Sequence, residues 1–419
     1  MGNEHWERLP LKQVAVAKKG KKSIMTSTSS FIDSVPLIDI EAMDKGNYRS
    51  FVDRKSSVIC NKNDILVVWD GARFGLTGCN QEGAVGSTIM RLTPRSINSK
   101  YLFRFITSKY LFIQNKPKGM AIPHVNPEIF WNIIVPTPPV DEQVKIVEKL
   151  DFMLSKVIKA KGRLENIRIL IKKFRQSILS AACSGVLTDE NSNYDDERWA
   201  KVINSLQEDV LDSSFAMPSH WVCVPLKSIA NGFQYGTSSK SDISGLIPVI
   251  RMGNLQNGII DWNGMKYTSD LSEIKKYALE AGDVLFNRTN SPDLVGKTSI
   301  YESDRNAIFA GYLIRIKNKK DILLSEFLNY YLNSQYGREW CKQVRTDGVG
   351  QSNISASMLS TLPIPLPPIE EQREIVTQVQ QLFKLADSLE AKYKKAMLQI
   401  DKLEQSILAK AFQGELIEA

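Results

Sequence analysis

From Val140 to Ala182, apolar side chains return every seven residues. One column is Leu150, Val157, Leu164, Ile171 and Ile178, and the column three places on is Met153, Ala160, Ile167, Phe174 and Ala181. The pattern recurs 229 residues later as Val379, Ala386, Tyr393, Ile400 and Ile407, then Leu382, Leu389, Ala396, Leu403 and Lys410, and only Lys410 is charged. An apolar stripe held over several heptads, with Lys, Arg and Glu between, predicts a long helix that hides one face against another helix. Each stretch begins after a Pro-Pro pair and carries acids in its first turn (Asp141 and Glu142, then Glu370 and Glu371), where the helix dipole favours negative charge. Gly185 and Gly414 follow the last apolar residues and suit C-terminal caps. About 40 residues at roughly 1.5 Å each make a rod on the order of 60 Å long. Equal length in the two copies favours zipping the stripes together over folding each helix onto its own globule.

The repeat extends beyond these helices. Pro138-Pro139-Val140-Asp141-Glu142-Gln143 recurs as Pro367-Pro368-Ile369-Glu370-Glu371-Gln372, and Gln176-Ser177-Ile178-Leu179 recurs as Gln405-Ser406-Ile407-Leu408, both at an offset of 229. Within each copy the two motifs lie 33 residues apart, so nothing was inserted between them. Upstream the match is looser: Trp6 to Leu11 resembles Trp221 to Leu226 at an offset of 215, and Asp64 to Val67 resembles Asp283 to Phe286 at 219. Drifting offsets mark insertions, so the chain is two variable modules, each followed by a segment of fixed length.

Inside the modules, short apolar runs (Val35–Ile40, Asp64–Trp69, Pro248–Ile250, Asp283–Asn287) are bounded by Gly, Asn, Asp and Ser and predict strands joined by tight turns. Helical spacing covers 99–115 and 325–344, with aromatics at Tyr101, Phe105, Phe112, Phe327, Tyr330, Tyr331 and Trp340 that read as core. The predicted fold class is α+β: two mixed α/β globular modules at 1–139 and 217–366, separated by an antiparallel two-helix coiled coil from spacer helices 140–186 and 367–419, with a pseudo-two-fold internal repeat. Residues 187–216 read as an acidic linker (Asp189, Glu190, Asp195, Asp196, Glu197) with a short helix near 196–210.

Charge adds a partner. The net charge is +8, and residues 1–139 alone hold 19 Lys/Arg against 11 Asp/Glu, while 217–366 hold 16 against 13. A positive excess confined to the two modules favours a polyanion. Candidate contact residues cluster in the loops. In the first module they are Lys18, Lys19, Lys21, Lys22, Arg73, His124 and Asn126. In the second they are Gln234, Tyr235, Lys240, Arg251, Asn254, Asn257, Arg288, Asn290, Lys297, Gln351 and Asn353. Arg, Lys, Asn and Gln read base edges, and Lys, Ser and Thr hold phosphates. Taken singly, each Gly/Asn/Ser stretch reads better as a turn.

The usual enzymatic signatures are missing. No G-x-x-x-x-G-K-[ST] phosphate loop and no G-x-G-x-x-G after a strand occur, and the three histidines (His5, His124, His220) lack metal-ligand spacing. Five cysteines, odd in number and without C-x-x-C, point to a reducing compartment and neither a disulfide framework nor zinc. No apolar run reaches the roughly 18 residues of a membrane span, and the start of the chain lacks a signal-peptide core, so a cytoplasmic location is expected.

The layout resembles the specificity subunit (HsdS) of Type I restriction–modification systems. The resemblance rests on the Trp-x-x-x-Pro-Leu openings at Trp6 and Trp221, the Pro-Pro-x-x-Glu-Gln helix starts at Gln143 and Gln372, the Gln-Ser-Ile-Leu helix ends at Gln176 and Gln405, and the Ala-Phe-Gln-Gly-Glu-Leu tail at 411–416. Cys183-Ser184-Gly185-Val186-Leu187 departs from the family's usual helix ending. The resemblance implies two target-recognition domains, each reading half of a split site in double-stranded DNA, and no catalysis by this chain. It also implies two modification (methyltransferase) subunits carrying S-adenosylmethionine and two restriction (motor-nuclease) subunits using ATP, with no cofactor, metal or membrane bound here. The competing class is a coiled-coil scaffold without sequence-specific DNA binding. A methyltransferase–nuclease fusion fails on length and missing cofactor motifs.

Overall fold

The computed structural model describes residues 5–119, 123–188, 197–212 and 217–416. The chain divides into two compact units: 1–166 with 394–419, and 167–393. Two long helices, Val140–Ala182 and Ile369–Phe412, contribute to both.

In the first unit, four antiparallel strands lie in the order Ala15–Lys19, Ile89–Pro94, Ile65–Val68, Thr77–Cys79. In the second, the order is Ala230–Tyr235, Leu313–Asn318, Asp283–Asn287, Thr298–Tyr301, which is the same sequence of chain segments. The central strands explain why their sequences read as unbroken apolar runs. Ile65 and Val67 enter one core while Leu66 and Val68 enter another. Likewise Val284 and Phe286 face one core and Leu285 faces the other. A sheet covered on both faces needs apolar residues at consecutive positions. One covering layer is helical: Ser99–Ser108 and Ser325–Asn333 bury Tyr101, Phe105, Phe327 and Tyr331. Phe112 departs from the core expectation, because it is exposed beneath the Lys116 ammonium, 4.6 Å from the ring centroid. The other layer contains Ser34–Ile38 paired in parallel with Gly83–Val85, and in the second unit Ile247–Ile250 with Ile308–Phe309.

Each unit is tied to its long helix by the same hydrogen-bond set. The Gln143 amide nitrogen donates to the Pro138 carbonyl at 2.7 Å, and its oxygen accepts the Asn98 N–H at 2.7 Å. Gln372 donates to the Pro367 and Ile322 carbonyls at 2.9 and 2.8 Å and accepts the Leu324 N–H at 2.8 Å. Asn98 and Leu324 are the N-caps of Ser99–Ser108 and Ser325–Asn333, so one carboxamide joins the starts of two helices in each unit. Next to it, the Trp6 indole donates to Glu142 at 3.0 Å and the Trp221 indole to Glu371 at 2.9 Å. The strand following each tryptophan, Glu7–Pro10 or Val222–Pro225, pairs with the strand leading into the long helix, Ile134–Thr137 or Pro363–Leu366.

The heptad columns are buried where a module covers them. Leu150, Val157 and Ile407 lie in the first unit's core, and Ile178 and Val379 in the second's, with Leu382 packed against it. Ile171 is buried, and Leu164 and Ile400 are half-buried. Leu389 and Leu403 are 38% and 51% exposed, because no module lies over them and one partner helix covers only a single stripe. Within the first unit Lys161 pairs with Asp401 at 2.8 Å and Glu404 at 2.5 Å. Within the second, Arg175 pairs with Asp387 and, at 3.5 Å, with Glu390, its guanidinium lying over the Phe383 ring. Gly185 and Gly414, with φ of 77° and 78°, follow the helix ends in the left-handed region expected of caps.

The linker is more structured than a solvated tether. Glu197–Leu206 is a helix whose Trp199 and Leu206 join the second unit's core, and the Trp199 indole donates to the His220 carbonyl. Apolar side chains four and seven residues apart outweigh the acidic composition once a core is available. Asp189, Glu190, Asp195 and Asp196 lie outside the described residues.

Replacing Gln372 by Leu leaves buried carbonyls and an N–H without partners. The expected cost is about 3–9 kcal/mol, from about 1–3 kcal/mol for each of the three orphaned groups, read as a lower denaturation midpoint by circular dichroism.

Candidate nucleic-acid interface

A paired segment lies at the end of each four-stranded sheet, a hairpin in the second unit and a backbone bridge between Lys118 and His124 in the first. In the second unit, Thr346–Gly348 pairs with Gln351–Asn353, and Gln351–Asn353 pairs in turn with Thr289–Asn290. Gly350 takes φ 77° in the turn, and Val349 beside it is fully exposed. The Ser352 hydroxyl, buried beneath, bonds the Asp347 carboxylate, which also pairs with Arg345 at 3.0 Å. The Thr289 hydroxyl donates to the Asn353 side chain at 3.0 Å. The Ile354 N–H donates to the Arg288 carbonyl at 2.9 Å, anchoring the hairpin to the strand that feeds it.

The first unit repeats the arrangement with other side chains. Lys118 and His124 bond each other's backbones at 3.0 and 3.1 Å, and His124 bridges to Asp70. The Val125 N–H donates to the Trp69 carbonyl at 2.9 Å, the counterpart of the Ile354–Arg288 bond. Met120, Ala121 and Ile122, within the predicted contact loop, lie outside the described residues.

The outer sheet strand reaches the hairpin in both units. Ala15–Lys19 ends beside it, with the Lys19 ammonium 2.8 Å from the Asp70 carboxylate. Ala230–Tyr235 ends with Tyr235, whose hydroxyl accepts the Ala356 N–H at 2.9 Å and whose ring lies 4.7 Å below the Arg288 guanidinium. A glycine follows each strand because backbone crosses there: a Cβ on Gly20 would stand 2.1 Å from the Gly86 carbonyl oxygen, and one on Gly236 would stand 2.3 Å from that of Phe309. That crossing splits the basic run, leaving Lys18, Lys19, Lys21 and Lys22 all exposed beside the sheet end.

Several other candidates have local structural work. Asn126 caps Pro127–Trp131, accepting the Glu128 and Ile129 N–H groups. Asn254 is buried, accepting the Arg251 N–H and donating to the Asp261 and Asn263 carbonyls. Asn257 takes φ 53° in the turn between Leu255–Gln256 and Ile259–Ile260. Gln234 donates to the Lys276 carbonyl and accepts from Arg315. Arg251 donates to the Gly264 carbonyl, and Arg73 pairs with Asp44 at 2.7 Å. These residue types also satisfy turns and caps, which is why composition alone pointed to them. Lys240 is exposed in its loop. Lys297 lies apart from the hairpin, lining a cavity of about 550 Å³ with Thr298, Tyr330 and Arg338, where burial and then the Arg338 charge hold its ammonium below the ordinary lysine value.

The structure therefore brings Tyr235, Arg288, Asn290, Gln351 and Asn353 together in one unit, and Lys19 with His124 in the other. Sequence reasoning passed over the first arm of each hairpin, Lys118 and Thr346. Its signal was a turn-rich segment, Lys116-Pro117-Lys118-Gly119 or Asp347-Gly348-Val349-Gly350, at the same place in both modules.

A model of the Type I restriction modification DNA specificity domain matches residues 3–168 and again 218–399. The chain belongs to that family. As a DNA specificity chain it is 28% identical over 424 residues to the EcoBI specificity subunit of Escherichia coli, covering 99% of this chain and 87% of the relative. It is 29% identical to the EcoKI specificity subunit of E. coli K12 (99% and 89% covered) and 25% identical to the MjaVIII specificity subunit of Methanocaldococcus jannaschii (99% and 93%). Among solved structures, a chain from a study of type I R-M assembly and conformational transition aligns with TM-score 0.70 at 17% identity, covering 99% of each. The HsdS subunit of Thermoanaerobacter tengcongensis aligns with TM-score 0.50 at 18% identity, covering 98% of this chain and 97% of that one. Both likenesses concern the fold.

Four of the specificity chain's five cysteines are buried. Burial pushes the thiols of Cys60 and Cys223 up to about 11 and those of Cys183 and Cys341 up to about 12. Iodoacetamide at pH 8 is expected to label these four many-fold more slowly in the native protein than in guanidinium, as mass spectrometry of the alkylated peptides would read.

Proposed function

We propose that this chain is the non-catalytic DNA-reading subunit of a Type I restriction–modification complex in the cytoplasm. Residues 1–139 and 217–366 are its two target-recognition domains, and each reads one half of a split site through its hairpin and the neighbouring strand ends. The observation that carries the reading is the double family match, falling on two modules that share a four-stranded sheet order and a backbone bridge at its end, with different side chains there. Equal scaffolds with unlike reading residues are what two unlike half-sites require.

The spacer helices 140–186 and 367–419 form an antiparallel coiled coil that fixes the number of unread base pairs between the half-sites. The ion pairs support this: Lys161 meets Asp401 and Glu404, while Arg175, farther along the first helix, meets Asp387 and Glu390, earlier on the second. Half-sites on one face of the duplex then lie about one helical turn apart, roughly 34–36 Å. The same helices dock two modification subunits. Exposed Phe152, Ile158, Leu170, Leu385 and Leu398 support that role, since unpartnered apolar side chains on a helix surface mark a protein contact. Two restriction subunits complete the assembly. S-adenosylmethionine and ATP belong to those partners.

The test is single-molecule sequencing of methylated DNA from cells expressing this chain with its modification subunit. A bipartite motif with a fixed gap is expected. Exchanging residues 1–139 for another family member's first module should change one half-site and leave the other intact. Inserting one heptad into each long helix should lengthen the gap while both half-sites stay the same. A methylation pattern without sequence preference would instead favour a plain scaffold.

A further inference from the structure

Five arginines of the second unit lie in or around the hairpin and its supporting sheet, and four of them are spent. Arg315 is buried against Asp283 at 3.2 Å and bonds the Ala278 carbonyl. Arg251 donates to the Gly264 carbonyl. Arg338 donates to the carbonyls of Val295 and Asp293. Arg345 holds Asp347 and donates to the Pro292 carbonyl. Arg288 differs. Its side chain makes no hydrogen bond or ion pair among the described residues, whereas Arg251 and Arg315, whose Nε atoms are likewise buried without a partner, bond through their terminal nitrogens. It is nevertheless held in place, with the guanidinium over the Tyr235 ring at 4.7 Å.

The holding is rigid at both ends. Tyr235 ends an outer strand and is pinned by its hydroxyl to the Ala356 N–H. The Arg288 backbone is fixed by its N–H to the Tyr312 carbonyl at 3.0 Å and by its carbonyl to the Ile354 N–H at 2.9 Å. Stacking on an aromatic face restricts the guanidinium while leaving its planar fork of donors unsatisfied. A half-buried cation with idle donors, next to an exposed hairpin, lacks a planar two-acceptor partner. Guanine offers one on its major-groove edge, O6 and N7, which a guanidinium meets with two parallel hydrogen bonds. A phosphate takes two from the same fork, and base-by-base discrimination with its salt dependence separates the two partners.

The first unit carries no arginine at the matched position. The equivalent place is Trp69, buried between Phe130 and Trp131, with ring centroids 5.3 and 6.2 Å away. The two modules therefore differ at a matched position of a shared scaffold, where a specificity difference would be written.

We propose that Arg288, stacked on Tyr235, is a specificity-determining residue of the second module and reads one guanine edge in its half-site. This rests on the DNA-recognition reading and deepens it. The test uses the complex with its modification subunit, binding duplexes in which each base pair of both half-sites is varied in turn, at two salt concentrations. Wild type is expected to discriminate at every read position. Arg288→Ala and Arg288→Lys should lose about 5- to 150-fold of discrimination at a single G·C pair of one half-site and leave the other half-site unchanged. Lysine keeps the charge and the long stem but loses the fork, so it carries the test where the alanine variant fails to fold. Tyr235→Ala should weaken discrimination at that same pair, and Tyr235→Phe, which keeps the ring, should retain it. Uniformly weaker binding with unchanged base preference and a shallower salt slope would assign Arg288 to a phosphate and overturn the proposal. Unchanged binding would overturn it as well. A wild-type complex indifferent to every base pair would bring down the DNA-recognition reading itself.

Discussion

One buried carboxamide per unit holds the architecture together. Gln143 and Gln372 are fully enclosed, and each satisfies backbone groups at the start of two different helices. A Pro-Pro pair offers no N–H of its own, so the carbonyls around it need a donor from elsewhere, and the amide supplies it. A carboxylate at that position could not donate, and a shorter side chain could not reach. Tryptophan and glutamate beside it fasten the entering strand to the same helix start. The module can vary its strands and loops widely so long as these few contacts return the chain to the long helix at the same angle.

That constraint explains how one scaffold carries two different surfaces. The four-stranded sheet, its helical cover and the terminal hairpin recur in the same chain order, while the residues at the hairpin do not. The end of the outer strand holds Lys19, paired with Asp70, in one unit and Tyr235, stacked under Arg288, in the other. Trp69 packs among Phe130 and Trp131 where Arg288 lies over the Tyr235 ring. Variation at the rim leaves the sheet untouched because the sheet's own stability comes from cores on its two faces, remote from the hairpin.

The long helices divide their work along their length. Where a module lies over them they bury Leu150, Val157, Ile178, Val379 and Ile407 completely or nearly so. Elsewhere, apolar residues such as Leu389, Leu398 and Leu403 stay exposed. These exposed positions lie outside the cores with which the modules cover the helices.

The amino-acid sequence alone determined the repeat, the two long helices with their caps, the strand runs and the membership of this chain in the DNA specificity family, because each is written in period, spacing or motif. Local patterns encode local geometry, and a 229-residue offset survives any folding detail. It did not determine which polar residues face a ligand. Asn126, Asn254, Asn257 and Gln234 have the same chemistry as Gln351, yet the first four are engaged in caps, turns and sheet contacts while Gln351 is exposed in the hairpin. Only the tertiary structure separated them, since whether a donor is spent depends on what backbone lies across from it. It also drew Trp199 out of an acidic linker into a core, and set Tyr235 beneath Arg288, 53 residues apart in the chain, because neighbouring strand ends bring together what sequence distance hides.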